Sequence, residues 1–167
     1  MHLLYLLSVG IHILAATAWI GGMLFLVLVV VPWLRGGRVE AATFLRETGE
    51  RFRAVGWTCF AVLALTGAFN LWARGVRVPD LARTAWLTSP FGKLVLLKLG
   101  VFVLVLVVSA VHDFIVGPRA TQAIAVDPQS PAAQRERRRA SVLGRVNVLL
   151  ALLLVAVGVM LVRGAPW

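Results

Sequence analysis

The stretch LLYLLSVGIHILAATAWIGGMLFLVLVVVPWL, residues 3–34, holds no charged side chain, and its one imidazole is His12. It is longer than the ~20 residues a helix needs to cross a bilayer, so it reads as a membrane span. Three further segments, residues 55–73, 94–116 and 146–162, have comparable length and apolarity. Of the 167 residues 60% are hydrophobic and only 14% charged, more apolar surface than a soluble domain of this size can bury. The fold class is therefore an all-α integral membrane protein. Its four transmembrane helices form one bundle, a single domain over residues 1–167.

The first span is not expected to be a cleaved leader. No basic region precedes it, and its apolar run continues well past Ala16-Thr17-Ala18. The lone Cys59 excludes an intramolecular disulfide. The formal net charge of +10 is no nucleic-acid signal, because the Lys and Arg flank apolar spans. Their distribution predicts topology instead. Arg35, Arg38, Arg46, Arg51 and Arg53 follow the first span, and Arg119, Arg135, Arg137, Arg138, Arg139 and Arg145 follow the third. The opposite side has Arg74, Arg77, Arg83, Lys93 and Arg163. Both odd-numbered connections, residues 35–53 and 117–141, are thus expected to be cytoplasmic, with both termini outside the cytoplasmic membrane. Arg135, Arg137, Arg138 and Arg139 are expected to anchor on anionic lipid headgroups, at roughly 1 kcal/mol per charge.

Between the first two spans, residues 36–53 read as an interfacial helix with Phe44, Leu45 and Phe52 on its apolar flank, or as an extension of the second span. Glu47 and Arg51 stand at a favourable i,i+4 spacing. Pro79, Pro90 and Gly92 break the second connection. Pro118, Pro128 and Pro131 make the third the most mobile region expected.

Periodicity assigns the few intramembrane polar residues to faces. Ala15, Ala16, Trp19 and Met23 share the face of His12. Cys59, Leu63, Thr66 and Asn70 form one stripe on the second span, and Lys98, Phe102, Val105, Ser109 and His112 one on the third. Asn147, Ala151, Leu154 and Gly158 do so on the fourth. These four faces are expected to converge, leaving Leu and Val toward lipid. Counting depth places His12, Lys98, Asn70 and Thr66 in one half of the bilayer. Met23, Cys59, Ser109, His112 and Asn147 fall in the other. His12 and His112 then lie on the order of 15–20 Å apart along the bundle, too far to share one metal ion or one haem. An imidazole at such depth is costly, so it is expected to hold a ligand, move a proton or bridge helices. Trp19 is unusual at mid-membrane, and its indole N–H calls for an acceptor when buried.

The run His12-Ile13-Leu14-Ala15-Ala16-Thr17-Ala18-Trp19-Ile20-Gly21-Gly22 resembles the first-helix signature of the CopD family of copper-resistance membrane proteins. Leu65-Thr66-Gly67-Ala68-Phe69-Asn70, Ser89-Pro90-Phe91-Gly92-Lys93-Leu94, Leu97-Lys98 and Pro118-Arg119 add to the likeness. The resemblance implies a copper ion handled at or across the membrane. His12 would form one station, and Met23, Cys59 and His112 a second, since copper(I) favours sulfur and imidazole ligands. Only three Met occur in the chain, with no Met-x-x-Met or Cys-x-x-Cys motif.

The His-to-Trp spacing also resembles, more distantly, HemJ-type protoporphyrinogen oxidases, which bind haem b. That likeness implies His12 as axial ligand, with Lys98 and Arg145 at that family's basic positions. Beside His12, Trp19 or Phe102 could stack on a flat ligand, Lys98 could pair with a propionate or complete the coordination, and Asn70 is a neighbouring candidate. Here Gly22 is followed by Met23-Leu24-Phe25-Leu26-Val27, without that family's Leu-Pro-Arg run. A third reading is a membrane scaffold whose polar residues only join helices, and a homodimer is compatible with four short spans. Whether the chain is an enzyme is left open by its residues.

Overall fold

The computed structural model describes residues 1–34 and 41–164, apart from the side chains of Leu34, Ala41, Ala42 and Leu45. Arg35, Arg38, the first residues of the connection between the first two spans, and the Leu45 side chain therefore lie outside the described residues.

Hydrocarbon offers no partner to a backbone amide, and the chain answers by being almost wholly helical. Helix α1 (His2–Phe25) runs through a π-helical turn at Leu26–Val30 into the short α2 (Val31–Leu34). Helix α3 spans Ala41–Ala73, followed by a 3-10 turn at Val78–Ala82 and α4 (Thr84–Thr88). Helix α5 (Pro90–Val111) passes through a second π-helical turn, His112–Val116, into α6 (Gly117–Val126). Helix α7 is Pro131–Arg163. Four rods are long and apolar enough to cross a membrane: His2–Trp33, Arg46–Ala73, Pro90–Val126 and Pro131–Arg163. Among the described residues there is no strand.

The connections are more helical than expected. From Ala41 onward the expected interfacial segment is continuous with the second span as one 33-residue helix. The third connection, expected to be mobile, shrinks to residues 127–130. Pro131 sits in the first turn of α7, where its missing N–H costs nothing, and the Ser130 side chain accepts from the Ala133 N–H at 3.1 Å. Pro118 is accommodated differently. A proline inside a helix removes one N–H and crowds the preceding turn, and here the turn before it widens: the Gly117 N–H bonds His112 O. The same device precedes Pro32, where the Val31 N–H bonds Leu26 O.

Caps mark the other boundaries. Ser89 Oγ accepts from the Gly92 N–H at 3.0 Å and donates to Trp86 O at 2.6 Å, so α5 starts on a bridge back to α4. A side chain at Gly92 would collide with the Trp86 carbonyl, which accounts for the Ser-Pro-Phe-Gly order. Helix α3 ends at Gly75, φ +88°, where the Gly75 N–H bonds Trp72 O and the Val76 N–H bonds Leu71 O. This is a Schellman closure that needs the left-handed conformation glycine allows. Arg77 adds a 2.6 Å hydrogen bond to Trp72 O.

The rods pack as two antiparallel pairs, α1 on α3 and α5 on α7. The first pair keeps one register from Tyr5–Arg74 through His12–Thr66 to Gly22–Phe52, where a side chain at Gly22 would strike the Phe52 ring. The second keeps one from Lys98–Gly158 to Ser109–Asn147. Phe60 joins the pairs. Its ring lies 4.9 Å from Trp19, 5.5 Å from Trp57 and 6.2 Å from Phe102, all edge-on. Ala15, Met23, Cys59, Leu63, Val105 and Ala151 complete this core. Leu14, Leu65, Leu149 and Val162 face outward, as lipid-facing residues do.

Phe60→Ala is expected to cost about 3–5 kcal/mol, because it opens a void where three helices meet. Thermal unfolding in detergent, followed by circular dichroism, checks this. Phe25→Ala, at a side chain 57% exposed, should leave the midpoint nearly unchanged.

Candidate functional site

Two polar centres lie at opposite ends of the core. The terminal end is the end that carries Met1 and Arg163; the arginine-rich end carries Arg53 and Arg135–Arg139.

At the terminal end, His12 on α1 is partly buried against α3. Its Nδ1 lies 2.7 Å from Thr66 Oγ1, and Thr66 Oγ1 lies 2.6 Å from Val62 O. Threonine has one hydroxyl proton, and the Val62 carbonyl can only accept, so the Thr66 O–H donates to Val62 O. Thr66 Oγ1 therefore accepts from His12, which fixes the proton on Nδ1 and leaves the lone pair on Nε2. The ring also packs beside Gly67 of α3, where a Cβ would make an ordinary contact with His12 Cε1 at 3.6 Å. One turn farther toward the terminal end on the same helices, Ser8 Oγ and Asn70 Oδ1 are buried with no hydrogen-bond partner.

Lys98 of α5 belongs to this end. A Cβ on Gly158 of α7 would stand 3.6 Å from its Nζ, so the ammonium lies across the α5–α7 seam. Among the described residues no carboxylate pairs with Lys98. The centre thus holds a cation, an imidazole lone pair and two unpartnered oxygens, but no anion.

At the arginine-rich end the hub is Asp113, in the π-helical turn. Its Oδ1 lies 3.0 Å from His112 Nδ1, and its Oδ2 accepts from the Trp57 indole N–H at 3.1 Å. Its main-chain carbonyl accepts from Arg53 at 3.2 Å, and the Arg53 guanidinium lies 5.4 Å from the Phe114 ring centroid. Asp113 thereby orients His112 through Nδ1 and leaves Nε2 open, as a carboxylate does behind a metal-binding histidine. Between the two ends, Asn147 donates to Ser109 Oγ at 2.8 Å, and Asn147 Oδ1 is buried without a partner.

Of the expected site residues, the structure sets His12 against Thr66, places Lys98 at the same end on the α5–α7 seam, and leaves Asn70 one turn from His12 with a free oxygen. Met23 and Cys59 are packed into the central core with Trp19. Trp19 and Phe102, expected beside a flat ligand, both lie against Phe60. His112 stands apart at the far end with Asp113. Sequence reading missed Phe60 and the Trp57–Asp113–Arg53 cluster; the signal for the latter was an aspartate directly after an intramembrane histidine. Among the described residues no group of three or more His, Cys, Asp or Glu could hold a metal ion.

The fold and its two polar centres define a multi-pass membrane protein, with four membrane-length helices among the described residues and polar side chains inside the bundle. Residues 46–161 match the family described as CopD, copper resistance protein D, and the chain belongs to that family. The match covers the second to fourth rods, so the resemblance of the first helix stands beside it. A protein of Aquifex aeolicus (strain VF5), described as an uncharacterized protein, is 33% identical over 150 residues, 89% of each chain. No solved structure matches.

Thr66→Val removes the acceptor behind His12, and the Nδ1–H tautomer should lose its dominance, whereas Thr66→Ser should keep it. Imidazole 15N chemical shifts decide; an unchanged tautomer in Thr66→Val would sink the assignment. Asp113→Ala strands the Trp57 N–H and frees His112, and should cost about 1–3 kcal/mol in thermal unfolding.

Proposed function

We propose that this chain handles copper within the cytoplasmic membrane, with His12 Nε2 as the coordinating atom at the terminal end. The observation that carries the reading is the direction of the His12–Thr66 hydrogen bond, which presents Nε2 unprotonated toward a ligand. Membership in a copper-resistance family supports it. Copper is here the cargo. Its path would run from His12 past the sulfur atoms of Met23 and Cys59 to His112, whose Nε2 is open in the same way. Neither end gathers three such ligands, so each fits a station that passes copper on better than a closed site that retains it. The lysine and arginine bias supports an orientation with the arginine-rich end in the cytoplasm.

A specific observation favours a second reading. Lys98 has no carboxylate partner near His12, and a haem b would supply one in its propionate while His12 served as axial ligand. The bound haem would supply one-electron chemistry. The residues of this chain would orient it, Thr66 by fixing the imidazole and Lys98 by holding the carboxylate.

Competition with a chromogenic copper(I) chelator, using purified protein, tests the first reading. His12→Ala is expected to weaken copper(I) binding at least about ten-fold, a loss of roughly 1.4 kcal/mol. Equal binding by the parent and by His12→Ala would reject His12 as a station. The visible spectrum separates the readings. A Soret band in protein from haem-replete cells, absent in His12→Ala, would displace copper in favour of haem.

A further inference from the structure

At the arginine-rich end, where α6 leaves the membrane-spanning rod and α7 enters it, lies an open groove of about 470 Å³. Its walls are Val116, Val142 and Leu143 on one level and Arg135, Arg138 and Arg139 on the next. Positions 135, 138, 139 and 142 recur at i, i+3, i+4 and i+7, which puts them on one face of α7. Arg137, expected from the sequence to act with its neighbours, is on another face and does not line the groove. We propose that this groove binds one anionic phospholipid. Its phosphate is held by Arg135, Arg138 and Arg139, and an acyl chain lies along Val116, Val142 and Leu143.

Charge and depth both select this occupant. Among the described residues one acid pairs with these guanidinium groups, Glu136, which takes up part of Arg139 at 2.6 Å. Arg135 and Arg138 are left to meet an added negative charge, and planar guanidinium donors match phosphate oxygens. The apolar walls lie nearer the bilayer than these three arginines, since Val142 and Leu143 stand between them and the apolar part of α7, which begins at Val146 after Arg145, and Val116 ends the π-helical turn that continues α5. The groove therefore changes from apolar to cationic along the membrane normal, as a phospholipid changes from chain to headgroup. A soluble anion would meet the arginines but have no use for the valines. Copper handling does not enter the argument, so the test stands independently of it.

Native mass spectrometry of the full chain in detergent, with added palmitoyl-oleoyl phosphatidylglycerol or the matching phosphatidylcholine, reads the site directly. One retained phosphatidylglycerol is expected, at least about ten-fold preferred over phosphatidylcholine. Combined Arg135→Gln, Arg138→Gln and Arg139→Gln should abolish the preference, Arg138→Gln alone should weaken it, and Arg137→Gln should leave it intact. All four side chains are exposed, and circular dichroism verifies that the variants fold. Val142→Asp should remove retention while sparing the arginines. Equal loss in Arg137→Gln, no headgroup preference, or displacement of the lipid by millimolar inorganic phosphate would overturn the proposal.

Discussion

The contact on which the bundle depends is the edge-on packing of Phe60 against Trp19 and Phe102. Helices α1 and α3 hold each other along one register, and α5 and α7 along another, but each pair alone buries only one side. Phe60, 4% exposed, reaches from α3 to both α1 and α5 and makes one core of the two pairs. Ring pairs of this kind contribute about 0.5–1.5 kcal/mol each beyond area burial. In lipid the area term itself is weak between helices, so shape-matched rings and small residues carry more of the association. Val105 and Ala151, both 0% exposed, show how closely the pairs then approach.

That aromatic layer also separates the two polar centres. His12, Thr66 and Lys98 lie on its terminal side, and Asp113, His112 and Arg53 on the other. Because Trp19 and Phe102 are committed to Phe60, neither centre borrows them. The layer keeps the two centres from sharing hydrogen bonds, and each can be satisfied or left open by itself.

The spans, the shared depth of His12, Thr66 and Lys98, and the small-residue faces were legible because a straight α-helix turns 100° per residue and apolar length sets depth. Legibility stopped where that geometry stops. The π-helical turn at His112–Val116 adds a residue to the turn, so residues after it leave the stripe that Lys98, Val105 and Ser109 define. Asp113, at the start of that turn, reaches Trp57 on α3, a pairing between helices that the periodicity of either helix alone does not give. Phe60 was missed for a different reason. It sits beside the Cys59 stripe, and periodicity marks the centre of a face better than its edge, where a large ring can lean inward. The length of α7 was hidden by its charge: residues 131–145 are too polar for a span, yet Ser130 and Pro131 begin the same helix.

The two centres differ in how far their hydrogen-bonding capacity is used. Asp113 spends both carboxylate oxygens and its carbonyl, while Glu136 Oε2 at the same end and Asn147 Oδ1 between the centres are buried without a partner. The terminal end keeps an imidazole lone pair, an uncompensated ammonium, and two buried oxygens at Ser8 and Asn70. A polar group left unpaired away from water costs roughly 1–3 kcal/mol, so several of them in one place oppose folding. Apolar side chains at these four positions, on α1, α3 and α5, would remove that cost. Two of the four buried unpartnered oxygens among the described residues, those of Ser8 and Asn70, thus lie one turn from His12, and Thr66, by spending its one proton on Val62, leaves the His12 Nε2 lone pair free.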